Sequence, residues 1–188
     1  MAHIYDEIDE DLAGFLARQP VFFVATAPSG DGGHLNLSPK GLAGSFAVLD
    51  PHTVAYLDLT GSGVETIAHL RENGRIVLMF CAFEGRARIV RLHGQGSVAL
   101  AGDDGFEGLA ARFPDRIGVR SVVSVAVERV ADSCGFGVPV MRYDSDRNQL
   151  ERWARGRGDD GLVAYRAEMN ARSIDGLPGL EPLAVPAE

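Results

Sequence analysis

Residues 53–80, TVAYLDLTGSGVETIAHLRENGRIVLMF, constrain the fold of this 188-residue chain more than any other stretch. Thr53–Leu59 is β-branched and aromatic, which favours a strand. Thr60-Gly61-Ser62-Gly63 is a glycine-rich turn. Ser62-x-x-Glu65 has the spacing of a capping box, in which hydroxyl and carboxylate satisfy the first free amides of a helix. Val64, Ile67 and Ala68 then make an apolar stripe at helical spacing, Asn73-Gly74 supplies a left-handed stop, and Arg75–Phe80 resumes as an apolar strand. The unit is strand, turn, short helix, strand.

Two glycines and three hydroxyls (Thr60, Ser62, Thr66) gather at the start of that helix. Amides and hydroxyls there donate, and the positive end of the helix favours an anion. The same residues also suffice for a simple capped turn, so the motif alone leaves both readings open.

Around this unit the chain is punctuated by turns. Residues 7–18 carry Ile8, Leu12, Phe15 and Leu16 on one face of a helix that ends before Pro20. VFFVATA (21–27) reads as a buried strand, and residues 28–33 as a hairpin loop leading to a return strand from His34 to Ser38. That strand runs into Ser38-Pro39-Lys40-Gly41, where proline is expected to stop regular pairing and leave Lys40 beside a turn, either facing a ligand or solvated. Residues 44–49 and 53–59 flank Asp50-Pro51-His52, a tight turn. Residues 87–100 form a long strand in which Gly94 and Gly96 permit a bulge. Residues 103–113 form a short helix and 119–130 a valine-rich strand. Short strands joined by tight turns argue for an antiparallel barrel of about six strands. Without G-x-G-x-x-G after a strand, a dinucleotide-binding parallel sheet has no support. Beyond residue 140 the character changes: two polar helices, 145–155 and 160–172, split by Gly156-Arg157-Gly158, precede a proline-rich extended tail from Leu177. The expected division is a barrel over 1–140 and a helical appendage over 141–188.

A net charge of −8 argues against a nucleic-acid surface, so an anionic ligand needs a local site. No run approaches the roughly 20 apolar residues of a membrane span. The acidic start MAHIYDEIDEDL lacks the order of a signal peptide, so a cytoplasmic location is expected. Cys81 and Cys134 suggest neither a disulfide framework nor a zinc site. Scattered histidines offer no metal-ligand spacing.

Together VFFVATA, NLSPKG and YLDLTGSGVETIAHLRENGRIVLMF resemble the pyridoxamine 5′-phosphate oxidase-related family of FMN-binding split barrels, over roughly residues 10–135. The resemblance implies a mainly β fold with helices (α+β), a six-stranded antiparallel split barrel, usually a homodimer with FMN sites across its interface. It implies that Ser38 and Lys40 lie near the ribityl phosphate, that Thr60, Gly61, Ser62 and Thr66 hold that phosphate, and that Arg88 approaches the edge of the isoalloxazine.

Glu65 and Thr66 stand where true pyridoxamine phosphate oxidases carry an Arg-Lys pair, and the W-x-x-x-R-L and R-x-H segments of those enzymes are absent. Pyridoxamine phosphate is therefore not the expected substrate. The expected activity is flavin-dependent redox chemistry on a small molecule, with no catalytic side chain assigned. A non-catalytic flavin sensor, a deazaflavin site, or a haem site with His93 as the axial ligand are the alternatives. Cys134 in Ser-Cys-Gly-Phe-Gly is read as a small loop residue rather than a redox thiol.

Overall fold

A computed structural model describes residues 3–180; the tail expected over 177–188 lies outside the described residues beyond 180. Eight strands make one sheet: β1 (His3–Tyr5), β2 (Val21–Thr26), β3 (Asn36–Gly41), β4 (Phe46–Asp50), β5 (Thr53–Leu59), β6 (Arg75–Cys81), β7 (Ile89–Leu100) and β8 (Val119–Ser133). The order is β3-β2-β6-β7-β8-β5-β4, with β1 added along β8, and every pairing is antiparallel. This is the expected antiparallel split barrel, with eight strands rather than six. The unforeseen β1 is three residues long and carries no alternating pattern; it forms because β8 runs on past residue 130 and offers a free edge.

Alternation sets the inside. Phe22 and Val24 on β2, Ile76, Leu78 and Phe80 on β6, Val90 and Leu92 on β7, Val123 and Val125 on β8, and Val54 and Tyr56 on β5 fill one buried core. Each such side chain is worth about 1.5–3 kcal/mol of transfer free energy. Phe22 stacks on Phe80 at 5.2 Å and meets Phe46 of β4 at 5.4 Å, so the two halves of the curled sheet touch through aromatic rings. Helix α1 (Glu10–Ala17), capped by the Asp9 side chain on the Leu12 amide at 2.8 Å, lays Leu12, Phe15 and Leu16 onto this core. Helix α3 (Phe106–Ala110) covers a smaller cluster on the other side of β5 and β8, where Phe106 meets Leu57 and Val122.

Pro39 does not end pairing: it sits within β3 opposite Phe23. Because β3 is an edge strand, its missing amide leaves no ladder bond unmade. The expected bulge is present, between His93 and Gly94, where a Cβ would run into the backbone of Ala126. After β8 the chain crosses the surface to α4 (Gln149–Met169), which breaks at Gly158 (φ 67°, ψ 176°), where the sequence placed its split between two helices.

Candidate functional site

Helix α2 (Glu65–Asn73) stops as its sequence demands, with Gly74 at φ 71° donating to the Leu70 carbonyl. Its start differs from expectation. The N-cap is Val64, no side chain caps the helix, and Ser62 stands clear of the first turn. The helix begins one residue after Val64, so Glu65 is its first residue rather than its third. Its carboxylate cannot reach back in capping-box fashion; it folds against the Cα of Gly63 and accepts a long bond from the Ile174 amide at 3.4 Å. Ser62 and Gly63 are exposed. An uncapped helix start leaves its first amides available to a ligand.

Under this turn lies a buried chain of charges. Asp58, 0% exposed, accepts from Lys40 Nζ at 2.7 Å, Arg120 Nε at 2.7 Å and the Ser121 hydroxyl at 3.3 Å. Burial pushes the Asp58 carboxyl up, but the Lys40 ammonium and Arg120 guanidinium outweigh it and hold the pKa below the ordinary value. Arg120 continues to Asn170 Oδ1 at 2.9 Å, and Asn170 Nδ2 donates to the carbonyls of Gly61 at 2.9 Å and Ser62 at 3.4 Å. Arg166 donates from Nε to the Thr60 hydroxyl at 2.8 Å and from a terminal nitrogen to the Val119 carbonyl at 3.0 Å. Burial, and then the neighbouring Arg120 charge, lower the Arg166 pKa against the opposing pull of Asp159. Lys40 and Arg120 thus flank one buried carboxylate, and Arg166 holds Thr60 beside them, with the acids Glu65 and Asp159 close by.

The sequence-derived residues divide into two linked groups and one outlier. Lys40, Thr60, Gly61 and Ser62 belong to the chain just described. Ser38 and Thr66 meet through Asn36, which accepts from the Ser38 hydroxyl at 2.8 Å and donates to Thr66 Oγ1 at 3.0 Å. Thr60 and Thr66 are buried with protein partners for their hydroxyls; Thr60 donates to the Gly118 carbonyl at 2.8 Å. Arg88 precedes β7 and points elsewhere: it bonds Asp132 and the Tyr5 hydroxyl, and lies over the rings of Tyr5 and Phe15. His93 stands between Val77 and Arg129 in the ladder, its pKa lowered by burial and then by Arg129 and Arg91. Cys134 is exposed and Cys81 buried, both as free thiols. A cleft of about 810 Å³ opens beside the end of β3, bounded by Phe22, Gly41, Ser45, Phe46, Phe83 and Tyr143; residues 60–63 do not line it. Among the described residues no helix is long and apolar enough to cross a membrane, and no three His, Cys, Asp or Glu side chains group as metal ligands.

The signature that organises this geometry is matched at the level of family: the model of pyridoxamine 5′-phosphate oxidase covers residues 8–134. The chain belongs to the pyridoxamine 5′-phosphate oxidase family. It is 43% identical, over an alignment of 198 residues, to the pyridoxamine 5′-phosphate oxidase family protein ustO of Aspergillus flavus, spanning 96% of this chain and 78% of that protein. Likeness to ustO therefore extends past the family-model match into the C-terminal segment. Among solved structures, a HupZ variant of Group A Streptococcus aligns over 67% of this chain and 99% of its own, with a TM-score of 0.50 at 22% identity. A pyridoxamine 5′-phosphate oxidase-like protein of Lactobacillus delbrueckii aligns over 67% and 94%, again at 0.50 and 22%. These two show the shared split-barrel fold.

Four site residues went unread in the sequence: Asp58, Arg120, Arg166 and Asn170. Asp58 carries a signal, since an acid at an inward position of an otherwise apolar strand requires a buried partner. Arg120 carries the same signal at the start of the valine-rich β8. Nothing in the local sequence marks Arg166 or Asn170, which lie in the polar stretch beyond the barrel and beyond the family-model match.

Proposed function

We propose that the chain binds FMN, with the phosphate at the turn 60–63 and the start of α2, and works as a flavin-dependent oxidoreductase. The observation that carries this reading is the uncapped turn with Ser62 and Gly63 exposed, set over three cations, of which Lys40 and Arg120 are held by Asp58 and Arg166 by Thr60. The donor set fits a phosphate. Ser62 and Gly63 present backbone to solvent, the Ser62 hydroxyl adds a donor, and Lys40, with one of its three ammonium hydrogens on Asp58, keeps two for a ligand. When bound, FMN supplies a two-electron carrier that takes up and returns a hydride. The protein's own part is to bind and orient: Asp58 fixes the Lys40 ammonium, and the turn offers amides to the anion.

Visible absorbance of the purified protein with and without added FMN tests this, repeated for Lys40→Ala. The wild type is expected to take up FMN and turn yellow, and Lys40→Ala to hold it at least tenfold more weakly. A wild type that stays colourless in FMN refutes the reading, and deazaflavin and then haem become the ligands to try. The Glu65 carboxylate against Gly63 favours one second reading, a flavin-binding sensor with weak cofactor affinity. Oxidation of NAD(P)H by the FMN-loaded protein separates the two, since a sensor without turnover leaves the nicotinamide reduced.

A further inference from the structure

The C-terminal segment holds the turn, and the manner of holding decides which way its amides face. Asn170 is 0% exposed and joins the two halves of the site. Its Oδ1 accepts from Arg120, which bonds Asp58 and through it Lys40, while its Nδ2 donates to the carbonyls of Gly61 and Ser62. In a trans peptide the carbonyl and the amide hydrogen point in opposite directions, and the described chain contains no cis bond. Drawing the Gly61 and Ser62 carbonyls inward therefore turns the Ser62 and Gly63 N–H groups outward, to the exposed side of the turn. Two successive amides aimed the same way form a concavity for an anion.

We propose that Asn170 is a positioning residue for this anion site, orienting the Ser62 and Gly63 amides from a segment outside the family-model match. The inference rests on the FMN reading above. Its ligand chemistry is a phosphate monoester, and riboflavin, which lacks the phosphate, is the internal control. An aspartate at this position would keep an acceptor for Arg120 but lose the donor, and would set a negative charge against two carbonyl oxygens.

The test is a titration of wild type, Asn170→Ala and Asn170→Asp with FMN and with riboflavin, alongside thermal unfolding without ligand. The expected result is a loss of FMN affinity of about tenfold for Asn170→Ala and a larger loss for Asn170→Asp, with riboflavin affinity unchanged in both. Parallel loss of FMN and riboflavin would mark Asn170 as merely structural and overturn the proposal. Unchanged affinity for FMN as well as for riboflavin in both variants would overturn it while leaving the FMN reading intact. A wild type that binds neither ligand removes both readings together. A measurement on the wild type alone covers the case of variants that do not fold: hydrogen exchange at the Ser62 and Gly63 amides is expected to slow on adding inorganic phosphate or FMN but not riboflavin. Exchange at those amides indifferent to phosphate would overturn the proposal.

Discussion

Replacing Asp58 with asparagine tests the buried foundation of the site with almost no change of shape. Asp58 is completely enclosed and, among the described residues, is the only acid bonded to Arg120, whose side chain is 5% exposed, and to Lys40, whose side chain is 20% exposed. Asp58→Asn leaves the guanidinium buried beside a neutral amide and turns an amide hydrogen toward one of the two cations. Removing one partner of a buried pair costs about 3–5 kcal/mol, because the remaining charge is uncompensated. The Lys40 end can swing toward solvent, so the lower half of that range is expected. At roughly 2–4 °C per kcal/mol for a chain of this size, the melting temperature should fall by about 6–16 °C. Lys40→Ala is the comparison: Asp58 then keeps Arg120 and Ser121, and the loss should stay near 1.5 kcal/mol, the low end for a bond to a charged group. Thermal and urea unfolding of both variants give the two numbers. A loss under about 1 kcal/mol for Asp58→Asn, or a larger loss for Lys40→Ala, would refute the assignment of Asp58 as the hub.

Acid should act through the same residue. The folded state holds the Asp58 carboxyl below its ordinary value of 3.8, so its stabilisation is complete above 3.8 and is lost as pH falls through the lower, folded value. Urea midpoints of the wild type should drop steeply below about pH 4, and Asp58→Asn should flatten that limb. Removing the charge of Glu65, whose carboxylate lies against Gly63, should strengthen FMN binding; Glu65→Gln is expected to lower the Kd by roughly 5- to 30-fold, the effect of about 1–2 kcal/mol of relieved repulsion near a surface. Weaker or equal binding by equilibrium titration would show that the carboxylate does not oppose the ligand. Gly94→Ala would drive a methyl group into the Ala126 backbone across the β7–β8 bulge, at a cost of about 1–3 kcal/mol, read as a lower urea midpoint with an unchanged slope.

The barrel was legible where residue type and period agree. The alternation through β2, β6 and β8 and the Asn73-Gly74 stop are local facts, and local facts survive into the fold. Pro39 misled because a missing amide counts only where a neighbour needs it, and edge position is not written in the strand itself. Ser62-x-x-Glu65 misled because the capping pattern fixes a spacing and not a starting residue, and the helix starts after Val64. The charged foundation was the least legible part. Its members lie in β3, β5, β8, α4 and the residue that ends α4, and only the closing of the fold brings Lys40 to Asp58, or Asn170 to Gly61 across 109 positions of chain. Long-range polar pairing of this kind leaves one trace in sequence, an ionisable residue in an apolar strand, and that trace names neither the partner nor its place.

The same 109 positions have a consequence in time. A chain made from its N-terminus at roughly 5–20 residues per second exposes the turn some 5–20 s before the asparagine that orients it. Strands β2 to β6 can begin to pair during that interval while the Gly61 and Ser62 carbonyls still lack their donor. The turn therefore gains its inward anchor late, and a nascent chain can be well advanced as a barrel before the proposed anion site is complete.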